Sequence, residues 1–267
     1  MSILNQAVQN EIDKVQEVSQ CLWQREWAER NGGNISVDLT DIYGPVGDTS
    51  TLVEKDLPLQ LPISAAQRIY FVKGTGQRIR ELRDPSYAGC VLQLNKKANG
   101  YKILWGGNAS VSFAPTSEFI SHIKILEAKR ASGATDKSVV HTHPLELIAL
   151  SHHPDISSSS ELFTQTCWKM LPEVRAFVPR GVGMIPYCLP SSEELADRTT
   201  ASLLENNVAV WEKHGATASG EDVLQAFDFI DVANKGAKLY LMCLASGYEP
   251  EGVTKENMEI LKREFNL

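Results

Sequence analysis

The sequence lacks the features of a disulfide scaffold, a nucleic-acid-binding protein and a membrane-spanning protein. Its five cysteines, among 267 residues, are scattered and form no CxxC pair, so neither a disulfide framework nor a thiolate zinc site is expected. The formal net charge is −7, whereas proteins that bind duplex DNA normally present a basic face. The longest dense apolar run, 239–245, is far too short to cross a bilayer.

Targeting and nucleotide-binding motifs are also missing. The first residues lack the basic region of a signal peptide and include Glu11 and Asp13, so we expect a cytoplasmic protein with free thiols. Neither a GxGxxG nor a GxxxxGK motif is present, which argues against a nucleotide-binding loop. Apolar residues make up 43% and charged residues 22%, an ordinary globular composition.

Hydrophobic periodicity places most predicted strands in the first half of the chain, with helices around them. The helices are expected at 3–30, 115–133, 161–170, 192–205 and 221–244 and at the C-terminus. The strands are expected at 35–39, 69–73, 90–94, 101–105, 139–143, 174–178 and 207–211, with Asn99-Gly100 as a hairpin turn. Residues 40–62 and 152–160 are predicted loops. This pattern favours one α/β domain over residues 1–267, a central and mostly antiparallel sheet sandwiched by helices.

Two histidines at alternate positions of a predicted strand are the sharpest chemical feature. His141 and His143 would point to the same face of a strand and could reach one metal ion. A catalytic zinc has three protein ligands, often nitrogens, and one open position. His214 is the best third candidate, because the strand 207–211 would deliver it to a turn at Gly215. The alternative is that the strand histidines only satisfy hydrogen bonds in the core.

The remaining histidines are expected to play no part in metal binding. His152 and His153 lie in a polar, Ser-rich segment, and adjacent residues of a strand would face opposite ways. They are therefore predicted to be solvent-exposed loop residues. His122 lies inside a predicted helix and is expected to be structural.

Three turns of small and polar residues could bind an anion. In the first, Thr116-Ser117-Glu118 opens a predicted helix; ordinary capping explains the triplet, with a hydroxyl cap and a first-turn carboxylate. The same start could instead bind a phosphate dianion, with Glu118 as a proton shuttle. The other two turns are 31–34 and 74–76. Glu173, after Pro172 and before a predicted strand, is by itself an unremarkable surface acid.

Taken in order, these segments resemble the class II, zinc-dependent aldolase family. The segments that carry the resemblance are 30–34 (RNGGN), 71–76 (FVKGTG), 100–106 (GYKILWG), 115–118 (PTSE), 141–143 (HTH), 181–183 (GVG) and 214–215 (HG). The resemblance implies a class II aldolase-like catalytic domain, assembled as a homotetramer, that cleaves a phosphorylated ketose by a reversible retro-aldol reaction.

The resemblance also implies roles for individual residues. It implies one zinc ion per subunit held by His141, His143 and His214, with Glu118 as catalytic acid and base. Glu173 is similar to a glutamate that reaches a neighbouring subunit's active site. The positions that match those holding the substrate phosphate are Asn31, Gly32, Asn34, Thr75, Thr116 and Ser117.

Four alternatives remain open from the sequence. A related sugar-phosphate aldolase or 4-epimerase would share the metal and the chemistry. A three-histidine zinc hydratase or hydrolase would activate water and need no phosphate turns. A cupin-like binding protein is indicated by Glu146, which completes an HxHxxE pattern, but the long predicted helices argue against it. A non-catalytic scaffold of the aldolase fold would not need all three histidines and Glu118.

Overall fold

The computed structural model describes residues 4–110 and 112–266 and has an α/β fold built on a nine-stranded sheet. The strands are β1 Asn34–Asp38, β2 Glu54–Asp56, β3 Ile69–Lys73, β4 Gly89–Leu94, β5 Gly100–Gly106, β6 Ser138–Thr142, β7 Val182–Ile185, β8 Val208–Trp211 and β9 Gly215–Gly220. Their order in the sheet is β2-β5-β4-β3-β1-β6-β9-β8-β7. β7 and β8 are parallel, whereas β1 is antiparallel to both β3 and β6. The expected, mostly antiparallel sheet is therefore confirmed.

Helices flank the strands along the chain. They are α1 Gln6–Gln24, α2 Thr40–Tyr43, α3 Pro85–Ala88, α4 Phe119–Ala131, α5 Leu145–Leu150, α6 Pro154–Ser157, α7 Ser160–Trp168, α8 Pro172–Phe177, α9 Glu193–Glu205, α10 Val223–Ala245 and α11 Lys255–Glu264. Short 3₁₀ segments occur at Ile63–Ala65, Ile79–Arg83 and Gly107–Ala109. Within the described ranges, no helix combines the length and the apolar character that a membrane span requires.

The chain divides into two compact units. The first comprises Met1–Thr142 with Ser219–Gln225, and the second comprises His143–Ala218 with Ala226–Leu267. The expectation of one catalytic domain over residues 1–267 stays a prediction.

Helix α1 covers its part of the first unit with the predicted apolar stripe, but it ends earlier than predicted. Ile3, where the predicted helix starts, lies outside the described residues. At the other end, Glu26 adopts a left-handed conformation with φ 60°, and the Trp27 amide donates to the Leu22 carbonyl at 3.0 Å. This is a Schellman-type closure, which usually uses glycine and here uses glutamate. The chain then turns so that Trp27 and Ala28 are buried before the 31–34 turn.

Both long loops contain secondary structure that the sequence did not reveal. The segment 40–62 holds α2 and β2, and 152–160 holds α6. β2 has only three residues and is an edge strand with exposed side chains, so it has no apolar alternation to detect. The hairpin of β4 and β5 is present, but its turn is longer than Asn99-Gly100, with Ala98 in a left-handed conformation at φ 52°.

The prediction of a strand at 174–178 is wrong, because this segment forms α8. Pro172 occupies the first turn of the helix, where its missing amide costs nothing, and Val174 and Arg175 are buried. The nearby strand is β7, which the prediction missed. Strand β9 was also missed: its sequence, GATASG, is made of small residues that are all buried, so it shows no hydrophobic alternation.

Strand β1 carries a buried cluster of charges at its C-terminal end. The Asp38 carboxylate accepts hydrogen bonds from Arg68 and Arg130, both at 2.7 Å. Arg130 also binds Glu127, which accepts from the Tyr70 hydroxyl at 3.3 Å. Charges removed from water are stable only when they are paired in this way. The cluster therefore joins β1, β3 and α4 at positions where an apolar core would be expected.

Replacing Asp38 with Ala should lower the free energy of unfolding by roughly 2–4 kcal/mol, because two guanidinium groups lose a shared, buried carboxylate. Urea denaturation at a fixed protein concentration would measure this. The matched control is Asp41→Ala, which removes a 3.2 Å pair with Lys137 whose side chains are 63% and 46% exposed. That variant should change the free energy by less than about 1 kcal/mol. If the two variants lose equal free energy of unfolding, burial is not what makes the Asp38 ion pairs stabilising.

Candidate active site

Strand β6 delivers the first two candidate ligands. It ends at Thr142, one residue earlier than predicted, so His141 lies within the strand and His143 directly follows it. His141 is buried and its backbone is paired with Asn34 of β1. The hydroxyl of Thr142, between the two histidines, donates to the Trp27 carbonyl at 2.6 Å and fixes the end of the strand.

A constrained turn between β8 and β9 positions His214. Lys213 adopts a left-handed conformation at φ 60°, which is uncommon for a residue other than glycine. Its amide donates to the Ser151 hydroxyl at 2.8 Å, and the His214 amide donates to the Trp211 carbonyl at 3.0 Å. The His214 ring lies 5.0 Å from the Trp211 ring and 5.3 Å from the His143 ring, measured between centroids. The turn therefore brings His214 to the histidine pair.

The three histidines form a group that is compatible with a metal ion. One ring nitrogen from each of His141, His143 and His214 lies within 4.8 Å of the other two. Three neutral imidazoles match the donor set of a metal site that keeps an open position. Glu146 is not part of this group, because its carboxylate binds Asn234 at 2.7 Å and Lys238 at 3.1 Å. The structure therefore gives no support to the cupin-like ligand pattern.

The prediction that His152 and His153 are solvent-exposed loop residues is only partly correct. His152 is exposed and His153 is half-buried at the start of α6, and neither belongs to the group of potential metal ligands. His122 is structural, as predicted. Its Nδ1 lies 2.7 Å from the Ser36 hydroxyl of β1, and burial lowers the pKa of its ring to about 3. The ring is therefore neutral at physiological pH and joins α4 to β1.

The 31–34 turn is adjacent to the histidine strand. Gly33 has φ 72°, which favours glycine, and a Cβ at this position would lie 3.5 Å from the His141 carbonyl oxygen. The Gly32 amide donates to the Glu29 carbonyl at 2.7 Å. Asn31 is exposed, whereas Asn34 is buried, and its Oδ1 has no hydrogen-bond partner in the part of the chain that is described. A buried amide oxygen without a partner is typical of a functional position.

The 74–76 turn and the 116–118 turn lie side by side. The Thr75 amide donates to the Ala114 carbonyl at 2.9 Å, and the Thr116 amide donates to the Lys73 carbonyl at 2.9 Å. Gly74 has no room for a side chain, since a Cβ would lie 2.4 Å from the Phe113 ring. Thr75 and Ser117 are exposed and Thr116 is buried.

Lys73 connects the 31–34 turn to the 74–76 and 116–118 turns. The sequence analysis gave this residue no role. Its side chain is buried, and its ammonium donates to the carbonyls of Asn31 at 3.1 Å and Gly74 at 3.5 Å. Burial lowers the pKa of Lys73 to about 8. The available signal was a lysine that ends an otherwise apolar strand, IYFVK, directly before a glycine turn. The three turns predicted to bind phosphate are thus each linked to Lys73, two through its ammonium and the third through its backbone carbonyl.

Glu118 lies before α4 rather than in its first turn. The helix begins at Phe119, and Glu118 occupies the N-cap position without a side-chain capping bond. The predicted first-turn carboxylate is therefore wrong. The Glu118 side chain is buried, and its Oε2 accepts from the Ser121 hydroxyl at 3.4 Å. This buried carboxylate therefore lies two residues from Thr116, one of the residues predicted to bind phosphate.

Glu173 is not part of the histidine group. It lies in the first turn of α8 rather than before a strand, and its side chain is exposed. Its proposed action on a neighbouring subunit stays a prediction.

The sequence of the chain is similar to that of known proteins. Residues 13–241 match the model of the Class II Aldolase and Adducin N-terminal domain family. A rhamnulose-1-phosphate aldolase of Bacteroides thetaiotaomicron is 39% identical, over 98% of this chain and 96% of that protein. A rhamnulose-1-phosphate aldolase of Klebsiella pneumoniae is 30% identical, over 92% of this chain and 89% of that protein.

Solved structures show the same fold. A sugar-phosphate aldolase from Thermotoga maritima superposes with a TM-score of 0.76 and 28% identity, over 92% of this chain and all of that one. An L-fuculose 1-phosphate aldolase has a TM-score of 0.61 with 16% identity, over 97% of each chain, which is a similarity of fold alone. With a family match that runs from α1 into α10 and a full-length relative at 39% identity, the chain belongs to the class II aldolase family.

Proposed function

We propose that the chain is an L-rhamnulose-1-phosphate aldolase, which cleaves its substrate reversibly to dihydroxyacetone phosphate and L-lactaldehyde in rhamnose metabolism. The observation that carries the proposal is the group of three histidines in a chain that is 39% identical, over nearly its whole length, to a relative of that name. The polar turns beside β6 support it, because a phosphorylated ketose needs an anion site as well as a metal.

The metal of the proposal is zinc, one ion per subunit, with His141, His143 and His214 as its ligands. Neutral imidazoles leave the positive charge of the ion undiminished, and an open coordination position would accept a substrate oxygen. When bound, zinc supplies Lewis-acid polarisation of the substrate carbonyl. Trp211, the Ser151 hydroxyl and the Thr142 hydroxyl act as positioning groups that fix the rings and the ends of their strands.

The remaining candidate residues bind the substrate and move a proton. Asn31, Gly32, Asn34, Thr75, Thr116 and Ser117 are proposed to hold the phosphate through the side-chain donors of the asparagines and the hydroxyl residues, with Gly32 in the same turn as Asn31. This fixes the ketose so that the bond between carbons 3 and 4 lies in the site. Cleavage of this bond turns the carbon 4 hydroxyl into the aldehyde and releases its proton. Glu118 is proposed to donate a proton to carbon 3 of the fragment that becomes dihydroxyacetone phosphate, so that protons balance, and to remove it in the reverse reaction.

We also propose a cytoplasmic homotetramer whose subunits share active sites through Glu173. All five cysteines are free thiols, which fits a reducing compartment. Glu173 is exposed in the isolated chain, and Phe177, at the other end of α8, is 60% exposed. An exposed carboxylate and a large apolar ring on one short helix fit a surface that a second copy of the chain covers.

The test is to incubate the protein with L-rhamnulose 1-phosphate and, separately, with L-fuculose 1-phosphate, and to quantify dihydroxyacetone phosphate. Faster release from L-rhamnulose 1-phosphate is expected. Faster release from the fuculose ester would identify a related aldolase. If metal-loaded protein releases dihydroxyacetone phosphate from neither compound, it is not an aldolase for these substrates. The epimerase, the hydratase and the non-catalytic scaffold would then be the functions to test.

The metal assignment predicts that His214→Ala purifies with little bound zinc. The wild type should carry about one ion per chain, because three protein ligands are the usual number at a catalytic zinc. His153→Ala is the matched control, since it removes a half-buried imidazole outside the group, and it should keep the ion. Elemental analysis by mass spectrometry reports both. Loss of metal from His153→Ala, with retention in His214→Ala, would show that the ligand set is wrong.

The proton-transfer role predicts that Glu118→Gln folds and keeps its metal but loses activity. The amide has the same shape and cannot exchange the proton, so kcat should fall on the order of a hundredfold or more. Glu146→Gln is a useful comparison, because Glu146 binds Asn234 and Lys238 rather than the histidine group, and it should change kcat far less. Near-normal turnover in Glu118→Gln would contradict the proton-transfer role and leave Glu118 a structural one.

A further inference from the structure

We propose that the buried ammonium of Lys73 is the positive charge that binds the phosphate dianion of the substrate. The proposal rests on the proposed function, because it assigns a further binding residue to the same site. It also makes a distinct claim: the phosphate is held by a charge from inside the fold as well as by the neutral donors of the turns.

Lys73 lies among the three turns. Its ammonium donates to the Asn31 carbonyl at 3.1 Å, and its own carbonyl accepts from the Thr116 amide at 2.9 Å. Thr75 follows it by two residues, and the Thr75 amide binds Ala114, two residues before Thr116. All three candidate phosphate turns are therefore connected to this one residue.

The charge of Lys73 is not neutralised within the part of the chain that the structure describes. Lys73 is only 2% exposed, and among the residues that the structure describes no carboxylate is paired with its ammonium. Its two acceptors are backbone carbonyls, and the bond to Gly74 is long at 3.5 Å. A lysine has three donors, so one N–H remains for a further acceptor. The carboxylate of Glu81 acts on Lys73 electrostatically and raises its pKa, and it accepts a hydrogen bond from the Arg78 amide.

Removing an ammonium from water is costly unless an opposite charge compensates for it, and this cost lowers the pKa of Lys73 to about 8. A bound dianion would supply the missing charge at a short distance in a medium of low dielectric constant, where the attraction is strong. The candidate phosphate groups Asn31, Asn34, Thr75, Thr116 and Ser117 are all neutral, and the whole chain carries −7. A local cation is therefore what this site needs to attract an anion.

The experiment measures how dihydroxyacetone phosphate and unphosphorylated dihydroxyacetone inhibit or bind the metal-loaded protein. Lys73→Met removes the charge and keeps the length of the side chain. Lys73→Gln removes the charge but keeps a donor for the Asn31 carbonyl, which separates the charge from the hydrogen bond. Lys14→Met is the charge-matched control, because the Lys14 ammonium already binds Glu11 and Asp222 at 2.9 and 3.0 Å.

Both Lys73 variants should bind dihydroxyacetone phosphate roughly ten- to a hundredfold more weakly, the scale of a lost charge-assisted hydrogen bond in a buried site. Their affinity for unphosphorylated dihydroxyacetone and their zinc content should equal those of the wild type, and Lys14→Met should behave as the wild type throughout. For L-rhamnulose 1-phosphate, KM should rise more than kcat falls.

Unchanged affinity of folded Lys73→Gln for the phosphorylated ligand would overturn the proposal. An equal loss for the two ligands would also overturn it, because Lys73 would then only shape the site. These outcomes are separable from failure of the proposed function. A wild-type protein that cleaves neither sugar phosphate, yet binds dihydroxyacetone phosphate through Lys73, would reject the reaction and keep the phosphate site.

Discussion

The register of β1 against its two neighbours is the constraint on which the site depends. Asn34 is opposite His141 of β6, and Ser36 is opposite Val72 of β3, directly before Lys73. These two pairings align the 31–34 turn with both the histidine strand and the 74–76 turn. Because side chains alternate across a strand, a slip of one residue would move Asn34, Ser36 and Asp38 to the opposite face. The buried polar groups of β1 make such a slip costly.

Those polar groups also show how the first unit holds its site. Along one short strand, Asn34 is next to the histidines, Ser36 binds the neutral ring of His122, and Asp38 binds two arginines. Ser36 and Asp38 attach β1 to α4, the helix that Glu118 precedes. Buried polar groups that are satisfied fix a single arrangement, because any other arrangement leaves them without partners. The Oδ1 of Asn34, by contrast, has no hydrogen-bond partner among the described residues.

Patterns that depend on local sequence were predicted well. The stripe of α1, the strand 69–73 and the helices α7 and α9 follow from periodicity, since each buries an apolar face or run. The errors occur where tertiary contacts outweigh local pattern. β2 forms a strand because it pairs with β5. β9 consists of small residues and forms a strand because it pairs within the sheet. Residues 174–178 are apolar enough for a strand, but Pro172 begins a helix there.

The sequence by itself determined the chemical groups: an alternating histidine pair, a third histidine after a strand, three polar turns and Glu118. Their order along the chain was sufficient to indicate the family. Only the tertiary structure decided which groups meet, because the meeting depends on strand order, on register and on the left-handed turn at Lys213 that presents His214. It also decided the environment of Lys73. A lysine's charge is evident from the sequence, but that no carboxylate within residues 4–110 and 112–266 pairs with it is a property of the packed fold.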